Sequence, residues 1–208
     1  MKRKENKERL LRLLRREMNG AVAESMARRG IRYPVNYGVS AVTVRDIAAR
    51  FAPDHALARD LYGTGRDAGV RELILAGLFI ADPASVDAAE LPFWEAGVIN
   101  SEVAEYMAFA LTGRSPVAWE AFVRWSDDAV SEAGAVPDSA GTSKADGAPL
   151  LRYCAAMTLS RVLTLKGDTS HWDMARVKSF IEASLTPGTD PLLRSAAQRL
   201  AERVAVVK

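Results

Sequence analysis

Cysteine is almost missing from this chain: Cys154 is the only one in 208 residues. A single thiol excludes an internal disulfide and any zinc site built from several thiolates. It lies in an apolar run and reads as a small buried hydrophobe, and such sparing use fits a reducing compartment. Long apolar stretches are missing too, since each run breaks well short of the ~18 residues a membrane span needs. The basic N-terminus leads into no apolar segment of signal-peptide type. A cytoplasmic location without membrane attachment is therefore expected. No stretch sustains the period-2 alternation of β-branched residues, which excludes a sheet-based fold and its ligand sites at strand ends. There is no GxxxxGK(S/T) loop, HExxH, CxxC or glycine-rich dinucleotide fingerprint, so neither a cofactor nor a metal is expected.

What is present is helical periodicity. Hydrophobic residues make up 49% and charged residues 26%, which supports a packed core and a single domain over 1–208. Lys4 to Arg29 predicts one long helix, with a possible break at Gly20. Ser40 is placed to cap a second helix, and Pro53-Asp54 to open a third that ends at Gly63 and Gly65. Gly63-Thr64-Gly65 then reads as a helix–helix turn and not as a phosphate cradle. The segment 67–81 is apolar around much of its circumference and predicts an inner helix. Further helices are expected over 86–96, 101–111, from Pro116, 149–165, 171–185 and 191–207. Residues 133–148 have turn composition throughout and predict a flexible loop outside the packed layers, tolerant of shortening. Short turns make successive helices antiparallel neighbours, so the expected fold is all-α, a curved α-solenoid or superhelix of antiparallel helix pairs.

Net charge is only +2, but it is unevenly spread. Residues 1–16 carry eight Lys/Arg against two Glu, whereas 72–113 carry seven acids and no Lys or Arg. Residues 149–208 return to nine Lys/Arg against five acids. Lys2, Arg3, Lys4, Lys7, Arg9 and Arg12 form the densest basic patch and the best candidates for a DNA backbone contact. An unbroken basic track is not written here.

Few side chains suggest chemistry. His55 and His171 have no ligand-spaced partner and read as surface or capping residues. Glu102 and Glu105 lie one turn apart, either as a solvated helix face or as paired carboxylates dividing roles in a cleft. Trp119, Phe122 and Trp125 share a helix face and read first as core, although a ring turned toward a groove would stack on a base or sugar. Arg152, near a predicted helix start, carries its charge where the helix dipole opposes it, so an anionic partner such as Glu105, Asp127 or a phosphate is expected.

Three segments resemble the bacterial DNA alkylation repair proteins built from HEAT-like repeats, an alkylpurine DNA glycosylase group. Gly38-Val39 followed by Val44-Arg45-Asp46-Ile47-Ala48 is similar to a turn and arginine-bearing helix of that family. Leu61-Tyr62 with Arg71-Glu72-Leu73 resembles its short helix pair. Phe122-Val123-Arg124-Trp125, then Leu151-Arg152-Tyr153-Cys154-Ala155-Ala156, resembles a helix ending near a tryptophan and the next helix, whose arginine faces DNA. The family's Trp-Trp-Asp-Ser-Val-Asp motif falls on Asn100-Ser101-Glu102-Val103-Ala104-Glu105. The resemblance implies HEAT-like pairs over 17–208, Glu105 in place of the catalytic aspartate, and Arg152 as the DNA-facing arginine. It also puts Ser101 and Arg199 where the family carries tryptophans, leaving Tyr106 or Trp125 to supply ring surface. A carboxylate misplaced by ~1 Å costs about a hundredfold in rate. The expected function is thus a DNA-associated helical-repeat protein with weak, altered or absent base excision, bound to double-stranded DNA through its backbone. The competing reading is a nonenzymatic scaffold of the same fold with a protein or peptide on its concave face.

Overall fold

The computed structural model describes residues 2–127 and 147–206. The expected loop 133–148 therefore lies outside the described residues, save Gly147 and Ala148, whose backbone already belongs to a helix. The fold is all-α, made of stacked helix pairs, and among the described residues the one β-type pairing is an isolated bridge between Val35 and Val70. No described helix is long and apolar enough to cross a membrane. The chain divides into two compact units, 1–85 and 86–208.

The first unit holds α1 (Lys2–Arg16), α2 (Gly20–Arg28), α3 (Ala41–Ala48), α4 (His55–Ala68) and α5 (Arg71–Ile80). The long N-terminal helix is in fact two, because the Asn19 side chain accepts the Val22 N–H and starts α2 afresh. Leu10 and Leu14, one turn apart on α1, are fully buried. Ser40 caps α3 by accepting the Thr43 N–H, as its position before an apolar-periodic run predicts.

α4 does not end at Gly63 and Gly65 but runs through both, to a left-handed Gly69. The reason is packing. A Cβ on Gly65 would stand 2.6 Å from the Ile74 nitrogen, and one on Gly77 would stand 2.8 Å from Tyr62 Cβ. These glycines let α4 and α5 approach closely, so the turn between them falls at Gly69-Val70 instead. α5 is the inner helix its composition predicts, with Leu73, Ile74, Leu75 and Leu78 all buried.

Arg71 and Glu72 are buried at the start of α5, 2% and 0% exposed, with Arg71 Nη1 3.0 Å from Glu72 Oε1. Arg71 Nη1 also donates to the Val39 carbonyl at 2.6 Å. The Glu72 carboxylate accepts the N–H groups of Tyr37 (3.0 Å) and Val39 (3.2 Å). The Tyr37 carbonyl in turn accepts the Asn19 N–H at 2.8 Å, just before α2. Gly38 (φ +71) passes so close to the Asn19 carbonyl that no side chain fits there.

The second unit holds α6 (Leu91–Glu95), α7 (Ser101–Tyr106), a π-helical turn (Met107–Leu111), α8 (Ala118–Ser126), α9 (Gly147–Thr164), α10 (Met174–Ser184) and α11 (Pro191–Val206). The helix expected over 86–96 is only a short 3₁₀ turn, Ala88–Glu90, followed by α6. α9 is the central helix of this unit, packing on α7, α8 and α11.

The Glu72 carboxylate has no water to fall back on, and its loss strands the Arg71 charge in the core. Glu72→Ala is expected to lower unfolding free energy by ~3–5 kcal/mol, measured by urea titration. An effect below ~1 kcal/mol would show that the pair is dispensable.

Candidate functional site

Asn100 starts α7 by accepting the Val103 N–H at 3.1 Å, and this sets the phase of the helix. Val103 and Ala104 turn inward, while Glu105 is exposed. Its Oε1 accepts the phenol proton of Tyr153 at 2.6 Å. Tyr153 lies on α9, 2% exposed, and its neighbour Cys154 donates to the Ala104 carbonyl at 3.4 Å. Adjacent residues of each helix thus lock the pair together. Burial, reinforced by the Glu105 carboxylate, raises the Tyr153 pKa well above its ordinary value, so the phenol stays protonated and acts as a donor. The positive charge of Arg199 on α11 acts in the opposite sense on the same phenol. Arg199 is itself set by Ser195 Oγ (3.3 Å) and the Met157 sulfur (3.8 Å). Three helices therefore bring together a carboxylate, a neutral phenol and a guanidinium.

Arg152 is turned another way, as one residue along a helix requires. Its Nη2 lies 3.5 Å from Ser184 Oγ and its guanidinium 5.5 Å from the centre of the Phe180 ring, both on α10. Trp125 offers no free ring surface. It is 1% exposed, and its indole N–H donates to Glu95 Oε2 at 2.8 Å. Glu95 also holds Arg124 by two contacts of 2.6 Å, a charge-assisted fork that raises the Arg124 pKa. Tyr106 is half-buried beside Glu105.

The basic patch on α1 is not uniform. Lys7 is occupied, its Nζ 2.9 Å from both Asp60 Oδ1 and Thr64 Oγ1. The Arg9 guanidinium lies 5.9 Å from the centre of the Phe51 ring. Arg3, Lys4 and Arg12 are exposed, and the Lys2 side chain lies outside the described ones. Among the seven acids of 72–113, Glu72 and Glu95 are bound to arginines outside that window. Asp82 accepts the Ala84 N–H and the Ser85 hydroxyl, and Asp87 the Glu90 N–H. That stretch is thus less negative to an approaching phosphate than its composition suggests. Among the described residues no three metal-ligating side chains gather.

Sequence reasoning missed Tyr153 as the partner of Glu105, since nothing in the spacing of 105 and 153 connects them. Arg199 was visible only as an absent tryptophan. The Gly38-Val39 and Arg71-Glu72 segments, noted separately in the sequence, are one structural contact.

The chain matches no protein-family model and no curated protein. Its fold is similar to a solved structure from "a new family of proteins related to the HEAT-like repeat DNA glycosylases with affinity for branched DNA structures". The TM-score is 0.69 over 96% of this chain and 75% of the other, at 15% identity. The likeness places this chain in the class of HEAT-like all-α repeat folds. At that identity it concerns the fold alone.

Two buried acids on α9 are held protonated by the fold. Burial pushes the Cys154 thiol from 9.0 up to about 12, and Tyr153 is raised from 10.0. A raised folded-state pKa gives stability that is full below the unfolded value and is lost as pH rises through the folded one. Stability is thus expected to fall from pH ~9 upward, by at most about 1.4 kcal/mol per pH unit for each group. Urea titrations at pH 8 to 11 should show a shallower decline in Tyr153→Phe; identical slopes would mean that the phenol plays no part.

Proposed function

We propose that the chain is a DNA-associated helical-repeat protein that holds DNA by its sugar–phosphate backbone and excises alkylated bases weakly or not at all. The Glu105–Tyr153–Arg199 cluster carries this reading. Excision of a cationic base leaves positive charge on the sugar, which a nearby carboxylate stabilises best when no other cation shares the site. Here the carboxylate already shares its charge with a phenol proton, and Arg199 adds a cation that opposes the one forming. The same guanidinium is well suited to a phosphate. Ser101 and the buried Trp125 leave little ring surface to hold a damaged nucleotide. Support also comes from the fold's likeness to a protein with affinity for branched DNA structures, and from the exposed Arg3, Lys4 and Arg12.

Removing the first twelve residues would take Leu10 from the core, so point substitutions are the cleaner test. Joint replacement of Arg3, Lys4 and Arg12 by Ala is expected to weaken duplex binding. It should also reduce the slope of log affinity against log salt by about two to three, near 0.9 per lost contact. Titrations with plain and branched duplexes across a salt series measure both, with base release from a cationic alkylpurine duplex followed in parallel. Robust release that is lost in Glu105→Gln would overturn the inactive reading. Absence of binding to either DNA would reject the DNA reading and favour a protein partner.

A further inference from the structure

We propose that a cavity beside Trp119 and Trp172 binds a nucleotide, with its ring in the cavity and its phosphate on Arg114. The cavity, about 290 Å³, lies between the turn leading into α8 and the loop after α9. That is just below the ~300–1,000 Å³ typical of small-molecule sites, room for one nucleotide at most. Its aromatic wall is rigid. Trp119 stacks on Phe122 with ring centres 5.2 Å apart and on Trp172 at 5.9 Å. Neither indole N–H is hydrogen-bonded among the described residues, although both rings line the cavity.

Arg114 lines the cavity, is exposed, and has neither ion pair nor hydrogen bond among the described residues. Arg161 on α9 feels the Arg114 charge, and its Nε is buried without a partner. Burial first, and then Arg114, lower the Arg161 pKa, the direction expected when two guanidiniums sit together with no counter-ion. Arg161 is held there by its surroundings. Its stem packs so tightly on Gly113 that a Cβ on that glycine would stand 2.6 Å from Arg161 Cβ. Its guanidinium lies 3.9 Å from the centre of the Phe109 ring, which is 50% exposed. An anion bound at Arg114 would relieve that repulsion.

The remaining lining agrees. Val117 precedes α8 without a side-chain cap, so the first-turn N–H groups of Ala118 and Trp119 are left for an acceptor. His171 adds a further donor. One carboxylate, Asp168, also lines the cavity. It accepts the Ser170 N–H at 2.8 Å and sits within the field of His171, so its charge is partly answered inside its own loop. An apolar ligand would leave the Arg114 charge unanswered, and a bare phosphate would leave the aromatic wall uncovered.

The test uses the full chain and three probes: deoxyadenosine monophosphate, deoxyadenosine and inorganic phosphate, followed by calorimetry and tryptophan emission. Trp94 and Trp125 are 0% and 1% exposed, so a change in emission reports on Trp119 and Trp172. The monophosphate is expected to bind at least about tenfold more tightly than either fragment, and Arg114→Ala to weaken it by about tenfold or more. His171→Ala should weaken it less. Circular dichroism and thermal unfolding confirm that each variant is folded, which the exposure of both residues predicts. A monophosphate no tighter than phosphate alone, or undiminished affinity in Arg114→Ala, would overturn the site. Duplex titrations on the same proteins separate this from the DNA reading. Nucleotide binding without duplex binding sinks only the latter, and the reverse sinks only the cavity.

Discussion

A carboxylate with no access to water must find all its partners within the protein, and in the first unit that requirement falls on Glu72. It takes the Arg71 guanidinium and the N–H groups of Tyr37 and Val39, and Arg71 closes the ring on the Val39 carbonyl. Four constraints meet there. The segment from Val35 is held against the start of α5, with the Arg71 N–H on the Val35 carbonyl. Tyr37 passes the restraint to Asn19, which starts α2. Ser40, one residue beyond Val39, starts α3. Gly38 must stay glycine because the Asn19 carbonyl occupies the space of a side chain. An apolar pair of similar volume in place of Arg71 and Glu72 could be equally stable, but would leave two backbone N–H groups unmatched.

The second unit repeats this logic with weaker burial. Glu95 collects Arg124 and Trp125, and Glu105 collects Tyr153. In both units carboxylates that look like a negative patch in the sequence serve as acceptors for groups far along the chain. Linear charge counts omit such pairings, so the segment 72–113 reads as more hostile to phosphate than its folded form is. Conversely, the basic first helix reads as more available than it is, since Lys7 lies against Asp60 and Thr64.

Helix identity was legible where local chemistry decides it. Ser40 announces its cap, and the apolar circumference of 67–81 announces an inner helix. Boundaries failed where tertiary contact decides. Gly63 and Gly65 carry the composition of a turn, yet Gly65 is needed where α4 meets α5. The segment 86–96 has hydrophobic residues enough for one helix but folds as a 3₁₀ turn followed by the five-residue α6. The candidate site was legible by half: Glu105 emerged from a family likeness and its place on a helix. Its partners come from α9 and α11, at separations no pattern encodes. Trp125 reads first as core from its helix face, and the structure buries it there; only the family likeness offered it as ring surface.

The π-helical turn Met107–Leu111 separates two demands on one continuous stretch of backbone. Upstream, Glu105 must face out toward Tyr153; downstream, Thr112 must face in, where its hydroxyl lies 2.8 Å from Thr158 Oγ1 in the interior. A regular α-helix fixes the angle between those positions, whereas one widened turn adds a residue and shifts the helical phase. The turn acts as a phase adjuster between the solvent-facing and core-facing halves of the segment. A lineage losing one residue there would regain a regular helix and have to give up one of those two orientations.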